Sequence, residues 1–318
     1  MTRFQDYAPD QAWLLPPRIG DELGEEHLAR FLHEVVETAK SLGLGRLGRV
    51  AIDSTRVKAE ASPDRSDTVE QLRHERAHIR QRIRRWQQQC DRDEEPSDGV
   101  AAPADWRRRL EEIPRQLKQL HKSGQKCSSR RDPDSRYLRR RGGFCLRYTG
   151  EVAVSDDHFI VAQRVHQSSF DNDSLVPMMQ AVERECGQRP KVILADSRYF
   201  QRGQIEQVEA AGVQLYVPDG VLAQALADKA PPLVMTHRQR RRSPGLEQIR
   251  ERLTAPPGRT AMARRKALVE SVFGVLKQQR GMRRFRRRGL AAVSVEWTLA
   301  ATAYNLTRLY NRRQAAAN

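Results

Sequence analysis

Cysteine is scarce in this chain: four residues in 318, Cys90, Cys127, Cys145 and Cys186. They are widely and unevenly spaced with no C-x-x-C pair, which argues against a disulfide framework or a structural zinc site and fits thiols kept reduced in a cytoplasm. Apolar runs are short, and none approaches the roughly 20 residues that a spanning helix needs. The opening MTRFQDYAPDQAW has no basic start followed by an apolar stretch, so neither a membrane span nor an export signal is predicted. The chain also has no G-x-x-x-x-G-K-[ST] and no G-x-S-x-G, which leaves ATPase and serine-hydrolase chemistry without an anchor. Acid is in deficit. Against 57 Lys and Arg stand 40 Asp and Glu, a net charge of +17. An excess of that size points to a polyanion, nucleic acid first and an anionic membrane second.

What is present is unevenly distributed. Between Arg238 and Arg288 stand 17 Lys and Arg and three acids, Glu247, Glu251 and Glu270. Arginines alternate there with apolar residues in a pattern that can fold, so the segment reads as a phosphate-binding surface rather than a solvated tail. A helical stripe runs from His27 to Leu42, and Arg49-Val-Ala-Ile-Asp53 reads as a buried strand ending on an acid. Two polar helices with narrow apolar seams follow, Thr68 to about Cys90 and Asp105 to about His121. Their seam residues Leu72, Ile79, Ile83, Leu110 and Leu117 predict an antiparallel hairpin standing off the body.

Beyond Ser135 the pattern turns to strands, Phe144 to Val154 and His158 to His166, then a helix from Ser174 to Cys186. Lys191-Val-Ile-Leu-Ala-Asp196 is a second buried strand ending on an acid, followed by a helix over Gln201 to Ala211 and a strand over Val213 to Val217. Pro231 to Arg259 reads as a loop, and two apolar-striped helices, Arg264 to Gln279 and Val293 to Tyr310, close the chain. The alternation predicts an α/β domain with a mixed sheet.

Two motifs mislead. Gly43-Leu-Gly-Arg-Leu-Gly48 matches the dinucleotide fingerprint but follows a helix and precedes a strand, the reverse of the order that chemistry requires. His74-Glu-Arg-Ala-His78 matches the zinc-protease helix, yet Arg73, Arg76, Arg80 and Arg82 surround it and no third ligand is evident. It reads as a solvated helix face.

The surviving constellation is Asp53 and Asp196 at strand ends with Glu270 nearly alone among cations. Carboxyl ends of strands in α/β sheets are where ligands and metals usually sit. Three carboxylates without histidine or thiolate make an oxygen-only site suited to Mg²⁺ or Mn²⁺. From the residues alone, the aspartates are also readable as loop caps and Glu270 as an ion-pair partner.

The stretches around these acids are IDSTRVKAEAS, VILADSRYF and RRKALVESVFGVLKQQRGMRRFRRRGL. They resemble the DDE transposases of bacterial insertion sequences, in the branch with a helical hairpin after the first catalytic strand. DPDSRYLRRRGGFCLRYTGEVAVSDDHFIVAQRV is similar to that family's second and third strands, and VEWTLAATAYNLTRLYN to its last helix. The opening YAPDQAWLLPPRIGDELGEEHLARFLHEVVE is similar to the start of these proteins. The resemblance implies a ribonuclease-H-like domain over residues 46–318, with a helical-hairpin insertion over 66–125, preceded by a shortened helical segment over 1–45. It implies that Asp53, Asp196 and Glu270 are catalytic and hold two Mg²⁺ or Mn²⁺ ions. Double-stranded element-end and target DNA would then be cut and joined by two-metal phosphoryl transfer. Lys277, Arg280, Arg283, Arg284, Arg286 and Arg287 are the expected DNA contacts. A homo-oligomer on DNA, free of membrane and associated with a bacterial nucleoid, is the expected setting.

The chain departs from the family where only about ten residues, Ser41 to Val50, join the opening segment to the first catalytic strand. It departs again at Arg198, where the family has a small residue, and at Ala263 and Lys266, where it commonly has Tyr and Arg. A DNA-binding relic that no longer cuts, and a junction-resolving nuclease on the same core, are the rival readings.

Overall fold

The first catalytic-strand candidate is longer than its apolar run suggests: β1 spans Arg49–Lys58, and Val50, Ala51, Ile52 and Val57 are fully buried. The computed structural model describes residues 28–41, 43, 45–62, 66–90, 92, 102–140, 143–168, 170–228 and 244–317. Most of the expected opening segment, and Arg238 to Arg242, lie outside the described residues. A helix, α1 (Leu28–Ser41), precedes β1.

After β1 come a short strand β2 (Ser66–Thr68), the helices α2 (Val69–Cys90) and α3 (Ala104–Ser123), and a short strand β3 (Cys127–Ser129). β2 and β3 pair antiparallel. Leu72, Ile79, Ile113 and Leu120 form a small core separate from the main one, with Ile83, Trp106, Leu110 and Leu117 packed on it. Arg82 lies over the Trp106 ring at 4.1 Å and Arg109 pairs with Glu75 at 2.9 Å. Contacts that descend α2 while ascending α3 mean the two helices run antiparallel. α3 continues through Pro114, and Gly124, with φ of 64°, ends it.

The main sheet holds β4 (Arg136–Arg140), β5 (Gly143–Ser155), β6 (Ile160–His166), β7 (Val192–Leu194) and β8 (Gln214–Tyr216) alongside β1. Its order is β4-β5-β1-β7-β8, with β6 pairing on β5 as well. β1 runs antiparallel to β5 and parallel to β7, and β7 runs parallel to β8. The sheet is therefore mixed. Val50, Ile52, Ile193, Leu194 and Leu215 show no exposure, the pattern of strands covered on both faces.

Helices α4 (Leu175–Cys186), α5 (Arg202–Ala210), α6 (Gly220–Ala227), α7 (Pro244–Thr254), α8 (Pro256–Gly274) and α9 (Leu290–Ala317) complete the described elements. α8 continues into a π-helical turn over Val275–Gln279. The expectation of a loop over Pro231 to Arg259 is corrected within its described part. Leu246, Ile249 and Leu253 recur at helical spacing, the last two buried, so 244–254 folds as α7. Its prolines open α7 and α8, where the missing N–H costs nothing.

α9 packs on β6 and α1, and α8 on β1. Two side chains of α9 pin it to the sheet. Trp297 donates to the carbonyl of Glu151 at 3.1 Å, and Asn305 bonds both backbone groups of Ile160, at 2.9 and 2.8 Å. The latter falls where the β5–β6 register slips by one residue. Among the described residues, no helix is long and apolar enough to cross a membrane.

Candidate active site

Parallel pairing of β1 with β7 carries both aspartates toward the same end of the sheet. Asp53 stands within β1, two residues beyond the last β1–β7 pair, Ala51–Leu194. Asp196 stands two residues beyond β7 and caps a 3-10 turn (Ser197–Tyr199) by accepting from the Arg198 N–H at 3.0 Å. Their carboxylates share one cation. An Arg198 Nη2 lies 3.0 Å from Asp53 Oδ1 and 2.9 Å from Asp196 Oδ2. The same guanidinium lies 3.6 Å from Asp171, a fully buried carboxylate on the segment after β6. Asp171 in turn accepts from Ser54 Oγ at 2.8 Å and pairs with Arg56 at 3.3 Å.

A second cation reaches Asp53 from α8: Arg265 Nη1 lies 3.3 Å from Oδ2, with the arginine side chain only 12% exposed. Burial raises the Asp53 carboxyl above the usual carboxylate range. The charge of Arg265 opposes this, and that of Asp196 adds to it.

Glu270 stands apart from this network. Its side chain is 64% exposed, and its ion pair is with Lys266 on its own helix at 3.9 Å. Five residues of α-helix turn about 140° around the axis, so the face that offers Arg265 to Asp53 turns Glu270 aside. Two turns on, Lys277 is half-buried within the π-helical turn. Burial, then Arg147 and Arg283, lower its pKa, and Asp53 pulls the other way.

The expected DNA contacts lie just beyond. Met282 and Phe285 are buried while Arg280, Arg283, Arg284, Arg286 and Arg287 are exposed. Phe285 sits edge-on to both Tyr148 and Trp297, with centroids at 5.8 and 6.3 Å. Glu296 accepts the backbone N–H groups of Arg286 and Arg287 at 2.9 to 3.0 Å. The backbone is thereby fixed, leaving those two guanidiniums facing outward. Arg280, Arg284, Arg286 and Arg287 line a groove of about 420 Å³ against Val295, Leu299 and Ala300 of α9. Arg284 pairs with Glu60 at 2.8 Å, and Arg280 bonds the carbonyl of Ala303 at 3.1 Å.

Sequence reading did not find Asp171, Arg265 or a buried group formed by Glu151, His166 and Asp171, whose ligand-capable atoms lie within 4.8 Å of one another. None belongs to a spacing motif; strand pairing and a loop bring them together. In that group the Ser168 N–H donates to His166 Nδ1 at 3.1 Å. The ring proton therefore belongs on Nε2, 3.4 Å from Glu151 Oε1, where a metal would need a lone pair. No hydrogen bond forms across that gap, and His166 Nε2 and Glu151 Oε2 are buried without a hydrogen-bond partner among the described residues. The better donor set for a hard divalent cation is the oxygen-only pair Asp53 and Asp196. Arg198 now supplies the positive charge there, and its 51% exposed side chain has room to swing into solvent.

No curated protein and no solved structure matches the chain significantly. Residues 106–306 match the family described as the transposase DDE domain. The matched span holds Asp196, Glu270, Lys277 and the arginine-rich segment, and begins after Asp53. It covers 201 of 318 residues, so the chain belongs to the transposase DDE family.

Proposed function

We propose that this chain is a transposase that cuts the ends of a mobile element and joins them to target DNA. Family membership implies a DNA substrate, divalent metal and phosphodiester chemistry in general. The observation that carries the finer reading is the convergence of Asp53 and Asp196 from adjacent parallel strands onto one cation. The order β4-β5-β1-β7-β8 with β6 also paired on β5, and the α2–α3 hairpin between β1 and β5, support a ribonuclease-H-like core carrying an insertion. Asp53 and Asp196 would hold Mg²⁺ or Mn²⁺, and Glu270 would join them only by leaving Lys266 and turning back toward β1, on which its helix packs. Metal held there would supply the charge that activates the attacking oxygen and stabilises the leaving one. The chain's own groups do the rest. Lys277 and the arginines from Arg280 to Arg287 bind and orient the phosphate backbone, and work as an oligomer would bring two ends together.

A second reading is favoured by one observation: Arg198 is ion-paired with both aspartates. If that guanidinium is never displaced, the protein binds DNA without cutting it. Supercoiled plasmid carrying the DNA that flanks the coding sequence, incubated with Mg²⁺ or Mn²⁺, separates the cases. Nicking by wild type that Asp53→Asn abolishes, with DNA binding kept, supports the transposase. Nicking that appears only in Arg198→Gly identifies the arginine as the block. Binding without nicking in both leaves the relic.

A further inference from the structure

The hairpin carries a charge that the site does not use. Along α2, Arg73, Arg80, Arg84 and Arg85 are exposed, and among the described residues they form no ion pair. Between Gln71 and Cys90 the helix has one acid, Glu75, and it is turned inward onto Arg109. Arg73, Ala77, Arg80 and Arg84 recur at intervals of four, three and four, so they form one stripe on one face. Eleven residues of helix span about 16 Å, or roughly five base-pair steps of duplex. Ala77 leaves the middle of that stripe low, so a backbone can approach between the guanidiniums. The exposed His74 and His78 flank it.

This stripe is rooted beside the arginine-rich segment. Lys58 exchanges backbone hydrogen bonds with Arg283 and Phe285, at 3.1 and 2.8 Å, and the chain enters β2 eight residues after Lys58. Arg288 Nε donates to the carbonyl of Glu60 at 3.0 Å. From the other arm, Gln119 of α3 donates to Asp134 at 3.1 Å, and Asp134 accepts the Leu290 N–H at 2.8 Å. The hairpin base and the start of α9 are thus joined through one aspartate. Two cationic surfaces with a common root suit a ligand that is long, stiff and uniformly anionic.

We infer that the outer stripe of α2, formed by Arg73, Arg80 and Arg84, is a second phosphate-binding surface that engages duplex DNA flanking the segment held by Arg280 to Arg287. The inference rests on the DNA-binding reading above and extends it to a part of the molecule that the acids never touch. Contacts of this kind read the backbone and not the bases, so they lengthen the footprint without adding sequence preference.

The test compares full-length wild type, R73Q/R80Q/R84Q, and R283Q/R284Q/R286Q/R287Q, titrated with a 40-base-pair duplex over a range of salt. Glutamine keeps helix propensity, and coincident thermal melts by circular dichroism establish that the variants fold. Each lost phosphate contact should flatten the log–log salt slope by about 0.9. The hairpin variant should therefore lose up to about 2.7 in slope, additively with the second variant, and its hydroxyl-radical footprint should shorten at one end. Wild-type binding with an unchanged slope and footprint in the hairpin variant would overturn the inference and leave the transposase reading standing. A wild type with no salt-dependent affinity for the duplex would overturn both.

Discussion

At the scale of single residues, the fold depends on contacts that have no sequence signature. Gly150 lies at the centre of β5, where an added Cβ would come within 2.8 Å of the Trp297 ring, a fully buried indole. Gly150→Ala must displace that ring or the strand, and overpacking of this kind costs about 1–3 kcal/mol. Urea unfolding with an unshifted midpoint would show that the indole moves freely. Asn305 is fully buried and satisfies both backbone groups of Ile160 where the β5–β6 register slips. Asn305→Leu is nearly isosteric yet strands a buried donor and a buried acceptor, each worth about 1–3 kcal/mol. A loss of about 2 kcal/mol or more by denaturant titration is expected. At the site, Asp53 and Asp196 were legible because each ends an apolar run. Arg198 was legible only as an odd residue beside an acid, and Arg265 not at all.

Elements fail or hold by their own small cores. The hairpin buries only Leu72, Ile79, Ile113 and Leu120 completely enough to count as core. Ile113→Ala should cost about 2–5 kcal/mol, concentrated in α2 and α3. Hydrogen exchange should then rise throughout both helices while the sheet amides stay protected. A uniform rise would mean that the hairpin and the sheet unfold together. The α6–α7 junction offers a pH test. Asp219 caps α6 through the N–H groups of Val221 and Leu222 and is paired with Arg250 of α7 at 2.7 Å. Burial alone would raise its pKa, but the hydrogen bonds from Arg250 and from those N–H groups outweigh it, and the net shift is downward. A carboxyl lowered in the folded state contributes stability above its unfolded value of about 3.9. That contribution disappears as pH falls through the folded value. Asp219→Asn keeps a good cap but loses the ion pair, so its stability should fall less than that of wild type between pH 5 and pH 2. Parallel profiles would remove Asp219 from the acid response. α7 itself was hidden in the sequence because flanking prolines and arginines masked a three-residue apolar stripe.

For the whole molecule, charge is the dominant fact, and with the DNA ligand that the transposase family implies it predicts an affinity set by salt. Glu296 and the buried Phe285 hold the Arg283–Arg288 backbone so that the guanidiniums of Arg286 and Arg287 project. Neutralising Arg283, Arg284, Arg286 and Arg287 together should weaken binding to all duplexes alike and flatten the salt slope by about 0.9 per lost contact. A variant whose affinity falls for one sequence only would indicate base readout instead. The sequence by itself determined the order of most helices and strands, because burying one face of a helix or both faces of a strand imposes periods that survive in the residue pattern. It also determined the location of the basic segment and of two acids that close apolar runs, although β1 continues past Asp53 to Lys58, so only Asp196 lies beyond its strand. Only the tertiary structure decided which charges meet. Parallel pairing of β1 with β7 brought Asp53 to Asp196, and a loop added Asp171. The rotation of α8 offered Arg265 to Asp53 while Glu270 faced solvent. Pairing between residues more than a hundred positions apart depends on strand register and helix azimuth, and neither leaves a period in the sequence.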